Sequence, residues 1–450
     1  MRDHPALCAA LAQHDDVVTV FCLDDRLLRG RHASAPRTQF MLECLHDLDA
    51  SLRERGGALV VRRGAPEHEL PKLAREAGAG AVYFTRDVSP YARQRGERTG
   101  AVLREHGIDL HACPGLTVAD DVTSILTGKG QPYTVFSPFH RAWQKQPRRE
   151  LLPAPRRISA TSVDPGTIPS LEQLGLRQEV EDPMRGGEAE ARRRLANFLR
   201  GPIDSYRDHH DILGRDGSSR LSPYLHFGCV SPREVEERAG NPDFIRQLAW
   251  RDFYHHVLFH HPRNATEEFQ QRYRRAIDWD HDHDALRAWC EGRTGYPLVD
   301  AGMRQLRREG WMHNRARLVV GSFLTKDLGI DWRLGERWFM RLLIDGDEAN
   351  NNGNWQWIAS VGVDPQPHYR RIYNPARHME RFDPRGAYVR RYVPELRAVP
   401  DEYLSEPWTM PADVQRRCGT VIGRDYPGPI VDHRQARERA LERYRAAAAG

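Results

Sequence analysis

The chain has 450 residues, a formal net charge of +5, and 40% hydrophobic against 29% charged positions. These totals describe a folded protein of two or three domains and exclude a disordered chain. No apolar run reaches membrane-spanning length, the opening MRDHPALCAA has no signal-peptide pattern, and the seven cysteines include no CxxC pair, so the reading is a cytoplasmic monomer without a disulfide framework, zinc site or iron–sulfur cluster. Nearly every basic residue is arginine, the lysines being Lys72, Lys129, Lys145 and Lys326. That bias supplies planar forks for phosphate, although an evenly solvated surface accounts for it equally well.

Taken in order, residues 5 to about 115 alternate helix and strand signals. A helix is expected at Pro5–Gln13, a strand from Val17, a helix at Gln39–Arg55, a strand from Ala58, a helix at Glu67–Ala77, a strand from Ala81, a helix around Tyr91–His106 and a short strand from Asp109. Near-continuous apolar strands separated by helices predict a Rossmann-like parallel sheet covered on both faces. The repeat opens on a helix, so the sheet is expected to lack its first strand, and a chain extended upstream by one strand is expected to be the more stable. Residues 131–187 mix aromatic and basic residues and then turn rich in Pro and Gly, reading as an interdomain connection. From 188 to 450, amphipathic helical stretches with stop signals at Gly201, Gly240 and Gly310 predict an all-α domain, and the Ala446–Ala449 run is expected to fray.

The stretch Ile344–Trp357, IDGDEANNNGNWQW, is too polar for a core and too aromatic for a linker. Asp345 and Asp347 flank Gly346, which allows a tight turn, and two fixed carboxylates can accept from the N–H and O–H groups of a ligand. Trp355 and Trp357 offer flat faces for stacking, although both also fit a helix core. Upstream, Ser222-Pro223 and Ser231-Pro232-Arg233-Glu234 read as helix N-caps, the second with a capping-box Glu, and helix starts of this kind can also hold an anion. On one helix, Gln247, Trp250, Arg251 and Tyr254 fall along one side, facing either a cavity or the core. Asn314 and Arg317 share another face; Arg317 needs a carboxylate if buried, with Asp345 the candidate.

In combination, SSRLSPYL, QLAWRDFYHH, TGYPLVDAGMRQL, GWMHNRARL and LIDGDEANNNGNWQW resemble the photolyase/cryptochrome family in order and approximate spacing. The resemblance is greatest to class I cyclobutane pyrimidine dimer photolyases. It implies an N-terminal α/β antenna domain (1–130), the connection (131–187) and a helical FAD-binding domain (188–450). Positions matching FAD contacts are Tyr206, Ser218, Ser219, Arg220, Leu221, Ser222, Gln247, Arg251, Tyr254, Asn314, Arg317, Asp345 and Asp347, with Asn351 facing flavin N5. Trp355, Trp332 and Trp279 match the indole chain that carries electrons inward. The implied activity is light-driven repair of UV-damaged DNA, in which excited reduced FAD passes an electron to a flipped-out cyclobutane dimer.

Trp250, Asn314, Arg315, Leu318 and Trp357 match the lesion side, and Arg371 and Arg381 are expected phosphate contacts or plain surface charges. Gln247 stands where these enzymes often carry Glu, and Leu318 where Met is usual; His210 replaces a common Arg. Gln247 resembles the (6-4) photolyase branch, but that branch places His at both Asn314 and Leu318. A cryptochrome-like photoreceptor is the other alternative, opposed by Asn351. For the antenna, TRDVSPYARQRGE lacks the Asn-Glu pair of folate-binding members and resembles holders of 8-hydroxy-5-deazaflavin, with methenyltetrahydrofolate the alternative. Arg37 and Asp87 are the expected antenna contacts.

Overall fold

The computed structural model describes residues 1–159, 163–364 and 366–449. Its first half holds β1 (Thr19–Leu23), β2 (Leu59–Arg63), β3 (Ala81–Thr85) and β4 (Asp109–Cys113). All pairing is parallel, as the βα alternation predicts: β1 runs beside β2 from Thr19–Leu59 to Leu23–Arg63, and β3 beside β4 from Ala81–Asp109 to Thr85–Cys113. The parallel strands form two pairs, with no ladder joining β1 to β3 among the described residues. Every β3 residue is half-exposed and most of β4 is exposed, so neither is the doubly covered strand its apolar run suggests.

Side chains hold the pairs together. In the helix Pro66–Ala77, Leu73 packs with Val60 and Val163 beside β1 and β2, while its neighbour Ala74 packs with Leu103 and Ile108 beside β3 and β4. Arg26 bridges Asp24 and Glu67, Arg98 reaches Glu67, and the Tyr91 hydroxyl donates to Asp24. The Arg26 hydrogen bond holds the Glu67 carboxyl down to about 2. The connection covers the outer edge of β2, the Val61 N–H donating to the Pro165 carbonyl at 2.8 Å.

Part of that connection belongs to the helical half. The helix Phe136–Gln144 buries Phe136, Phe139 and Trp143 against the helix Pro242–His260. Asp252, fully buried, accepts from the Val118 and Ala119 N–H groups and from Trp143 Nε1 at 2.9 Å, pinning loop and helix together. Gly240 and Gly310 end their helices in left-handed conformation, as expected, and Ser231 caps the helix Pro232–Ala239 by accepting from the Arg233 and Glu234 N–H groups. The capping-box role of Glu234 is not found, because its carboxylate pairs with Arg192 instead. The Ala446–Ala449 run is helical to Ala449 rather than frayed, since Tyr444 and Ala447 anchor the helix His433–Ala449, the Tyr444 hydroxyl donating to the Ala359 carbonyl. Among the described residues, no helix is long and apolar enough to cross a membrane.

Asp252→Ala strands three buried donors, and at ~1 kcal/mol or more each the fold should lose about 3 kcal/mol, read as a lowered denaturation midpoint.

Candidate active site

The turn between the helices Trp332–Leu342 and Glu348–Ile358 carries Asp345, Gly346 and Asp347. Gly346 is not in the left-handed region; a Cβ there would lie 2.3 Å from Arg37 Nη1, so the glycine is required by close approach of a side chain. Arg37 donates to the carbonyls of Met340 (2.7 Å), Leu343 (3.3 Å) and His32. Burial pushes its guanidinium down to about 10, with Asp345 and then Asp347 opposing. Arg37, the expected antenna contact, crosses from the α/β half to brace this turn.

Asp345 Oδ2 accepts from the Ser222 hydroxyl at 2.6 Å and from Arg317 Nη2 at 2.8 Å, the pairing expected for Arg317. Its other oxygen, Oδ1, is buried and among the described residues has no hydrogen-bond partner, an acceptor that a ligand donor would satisfy. Ser222 is the first residue inside its helix and not the cap; its hydroxyl is spent on Asp345. Asp347 caps the next helix, accepting from the Asn350 backbone and side-chain amides at 2.7 and 2.8 Å. Its Oδ2 also faces His255 Nε2 at 3.5 Å and His226 Nδ1 at 3.9 Å. Burial alone would raise the Asp347 carboxyl, yet His255 beside it sets it well below the usual range. His255 Nδ1 lies 2.9 Å from the Arg251 carbonyl, so both ring nitrogens meet acceptors; although burial opposes it, Asp347 lifts the imidazole above its ordinary value. His226 goes the other way, pushed down to about 4 by burial.

A cleft with about 560 Å³ of solvent-open space lies beside this turn, lined by Asn314, Arg317, Leu318, Asp345, Asn351 and Trp355 among others. Asn351 is buried and its amide donates to the Glu336 carbonyl at 3.1 Å. Trp355 lies against Gly335, where a Cβ would be 2.2 Å from the indole.

Two family models match the chain: "DNA photolyase" over residues 1–156 and "FAD binding domain of DNA photolyase" over residues 244–446. A deoxyribodipyrimidine photo-lyase of Streptomyces griseus is 43% identical, covering 98% of this chain and 95% of that protein. The crystal structure of a bacterial class III photolyase from Agrobacterium tumefaciens superposes with a TM-score of 0.92 at 34% identity, covering 100% of this chain and 95% of that one. A Synechocystis cryptochrome superposes at 0.89 and 30% identity, covering 98% and 96%. The chain belongs to the DNA photolyase family. The FAD that the family model names fits the residues present, which offer the orphaned Asp345 oxygen, the Arg317 guanidinium and a cluster of amides.

Against that family pattern, Trp332 is fully buried with Nε1 3.4 Å from Glu268 Oε1, one helical turn before the Gly335 that seats Trp355. Trp279 is half-buried and meets the Tyr444 ring edge-on at 6.5 Å. Around Trp355 stand two rings that sequence reasoning missed, Phe339 at 5.0 Å and Trp289 at 6.2 Å. Tyr206 is buried between Phe198 and Phe244, and Leu221 is buried one residue before Ser222. Ser218 is half-buried, Ser219 Oγ accepts from the Leu221 N–H at 3.3 Å, and Arg220 takes a left-handed φ of 50° with its guanidinium 4.6 Å over Trp311.

Gln247, Trp250, Arg251 and Tyr254 do not share one cavity. Gln247 is exposed and bonds its own helix at Asp243, Trp250 stacks on Phe136 at 3.6 Å, Arg251 donates to the Leu116 carbonyl at 2.7 Å, and Tyr254 is buried over Gly353. Trp250 therefore has one face taken by an aromatic of the segment read as a connection. Arg371 is corrected from phosphate contact to strut: 2% exposed, it lies 4.1 Å over Trp357 and pairs with Asp364, which also accepts from Trp357 Nε1 at 3.0 Å. Arg381 stays exposed beside Phe382. Arg315, paired with Asp211, lies 4.3 Å over that same Phe382. Asp87 sits just past β3, accepting from the Ser89 N–H, and among the described residues no hydrogen bond or ion pair joins it to Arg37. The two missed histidines, His226 and His255, had one faint signal: His255 stands one helical turn beyond Arg251.

The His255–Asp347 pair gives a pH signature. A raised histidine pKa contributes stability fully below its ordinary 6.5 and loses it as pH climbs through the folded value; a lowered carboxyl contributes above 3.8 and loses it as pH falls. The melting-temperature gap between the parent and His255→Gln should thus be widest between those two values and narrow steadily at alkaline pH. A constant gap would contradict the pairing.

Proposed function

We propose that this chain repairs cyclobutane pyrimidine dimers in DNA under blue light, with FAD held in the cleft beside the Asp345–Asp347 turn. When bound, the reduced flavin supplies the photoexcited electron that opens the cyclobutane ring and then recovers it. Asn351 is the amide the resemblance sets beside flavin N5, and an amide can donate there without changing protonation state. Asp345 and Arg317 orient the cofactor's polar edge through the free carboxylate oxygen and the guanidinium. Photolyases take the lesion out of the base stack before acting on it. We assign the lesion side to Asn314 and Leu318, with Gln247, Trp250 and Trp357 at its margin and exposed Arg381 toward phosphate.

The observation carrying this reading is the make-up of the cleft wall: four asparagines, three aliphatic and two aromatic side chains and the Arg317–Asp345 pair, with no histidine among its described lining residues to run an acid–base step. The (6-4) alternative retains only Gln247 in its favour. The likeness to the Synechocystis cryptochrome keeps a photoreceptor as the second reading. We assign Trp355, Trp332 and Trp279 to inward electron transfer, and an 8-hydroxy-5-deazaflavin antenna, with methenyltetrahydrofolate as the alternative, to the α/β half near Asp87. We divide the chain at 1–130, 131–187 and 188–450, with Phe136–Gln144 serving as a buttress of the helical domain, and place the enzyme in the cytoplasm with its DNA.

The test is repair by chemically reduced, FAD-loaded protein of two oligonucleotides under blue light. Restoration of the thymine dimer with the (6-4) product untouched is expected; failure on both, with FAD bound, favours the photoreceptor. Trp355→Phe should block photoreduction of oxidised FAD yet leave repair by pre-reduced protein within about twofold of parent, since a tenfold loss would need about 1.4 kcal/mol of transition-state stabilisation that an electron relay does not give.

A further inference from the structure

Cys44, on the helix Ala35–Arg53 of the α/β half, and Cys229, in the turn after the helix Ser222–His226, lie with their sulfurs 3.4 Å apart although 185 residues separate them. Both are free thiols and half-buried, within reach of a small solute. The approach is built in by the backbone around it. A Cβ at Gly186 would lie 2.9 Å from Cys44 Sγ and 2.5 Å from the Phe40 carbonyl, and one at Gly187 would lie 2.9 Å from the Asp47 carboxyl carbon. Two glycines thus let the connection lie against the cysteine helix, where the N–H groups of Gly186, Gly187 and Glu188 donate to Glu43 Oε2, Cys44 Sγ and Asp47 Oδ2 at 2.7, 3.2 and 2.8 Å. On the other side, Phe40 packs at 5.3 Å from both Tyr224 and Phe227, fixing the turn that carries Cys229.

We propose that Cys44 and Cys229 are a peroxide-reactive dithiol that closes to a disulfide and clamps the α/β half onto the flavin-binding half. The bond requires the sulfurs to approach from 3.4 Å to ~2.05 Å. The Cys229 thiol donates to Cys44 Sγ, which also accepts from the Gly187 N–H, so the pair is set up to carry one thiolate, the reactive form. Burial pushes the isolated Cys22 up to about 11 and Cys290 up to about 12. The thiolate of the pair attacks hydrogen peroxide, breaking the O–O bond and giving a sulfenic acid and, with one proton, water. The other thiol then attacks that sulfur; the S–S bond forms, the S–O bond breaks, and a second water leaves with the attacking thiol's proton. Two thiols are oxidised and one peroxide is reduced. Because the Cys44 helix also carries Arg37 beneath Gly346, the bond ties down the brace of the Asp345–Asp347 turn.

The experiment treats FAD-loaded protein and its Cys44→Ser and Cys229→Ser variants with hydrogen peroxide, alkylates the remaining thiols and maps tryptic peptides without reduction. The expected result is a species joining Thr38–Arg53 to Leu221–Arg233, absent from both variants, with two of the seven thiols lost. A rise in melting temperature that dithiothreitol reverses should accompany it. Oxidation that stops at a sulfinic acid on either cysteine of the pair, falls on other cysteines, or gives disulfide-linked dimers would overturn the proposal. A linked peptide without any change in melting would overturn the clamp.

Discussion

The site depends on how Asp345 is satisfied. A carboxylate with a 3% exposed side chain needs donors in place of water, and this one takes a hydroxyl from Ser222 and a guanidinium from Arg317 on a single oxygen. Those partners come from helices far apart in sequence, so one buried charge fixes the angle between the Ser222–His226 helix, the Asn314–Ser322 helix and the turn itself. Among the described residues the remaining oxygen has no hydrogen-bond donor, and a buried acceptor of this kind is worth on the order of 1–3 kcal/mol to a ligand donor that meets it.

The same economy governs the approach of the two halves. Arg37 spends its guanidinium on three backbone carbonyls, two of them at the end of the helix Trp332–Leu342 and the turn after it, where carbonyls lack further helical partners or are shared with a turn N–H. Asp252 does the reverse, a carboxylate answering two loop N–H groups and an indole. Each crosses a boundary at which the chain pattern changes, so the α/β half and the loop after β4 are held by specific hydrogen bonds rather than by apolar contact alone.

Helix and strand positions in the α/β half could be read from the chain because the 3.6- and two-residue periods are local properties. The division of the strands into two pairs could not, since pairing depends on which edges meet and not on the apolarity of each run. The Arg317–Asp345 pair was legible because a buried guanidinium demands a carboxylate and few were near. The bracing role of Arg37 was hidden for the opposite reason: the Met340 carbonyl it reaches is 303 residues away, which no side-chain pattern advertises. Arg371 sits in a basic, polar run that reads as surface, yet Trp357 and Asp364 supply the stacking and charge that let it be buried. Whether Trp250 faces a cavity or the core could not be read from the chain, because its partner, Phe136, lies in the stretch read as a connection.

Trp355 joins the packing argument to the chemical one. Its indole contacts the helix Trp332–Leu342 only because position 335 has no side chain, and Phe339 and Trp289 meet its ring at interplanar angles of 78° and 70°. Edge-to-face contacts of that kind, inside a close-packed core, leave the ring one orientation. Electron transfer between aromatic groups falls steeply with separation, so the relay role proposed for Trp355 calls for a ring held as tightly as a ligand. The glycine that removes a side chain from Trp332's own helix, one turn further on, is what allows Trp355 to be both the wall of the cleft and a fixed neighbour of the helix that carries Trp332.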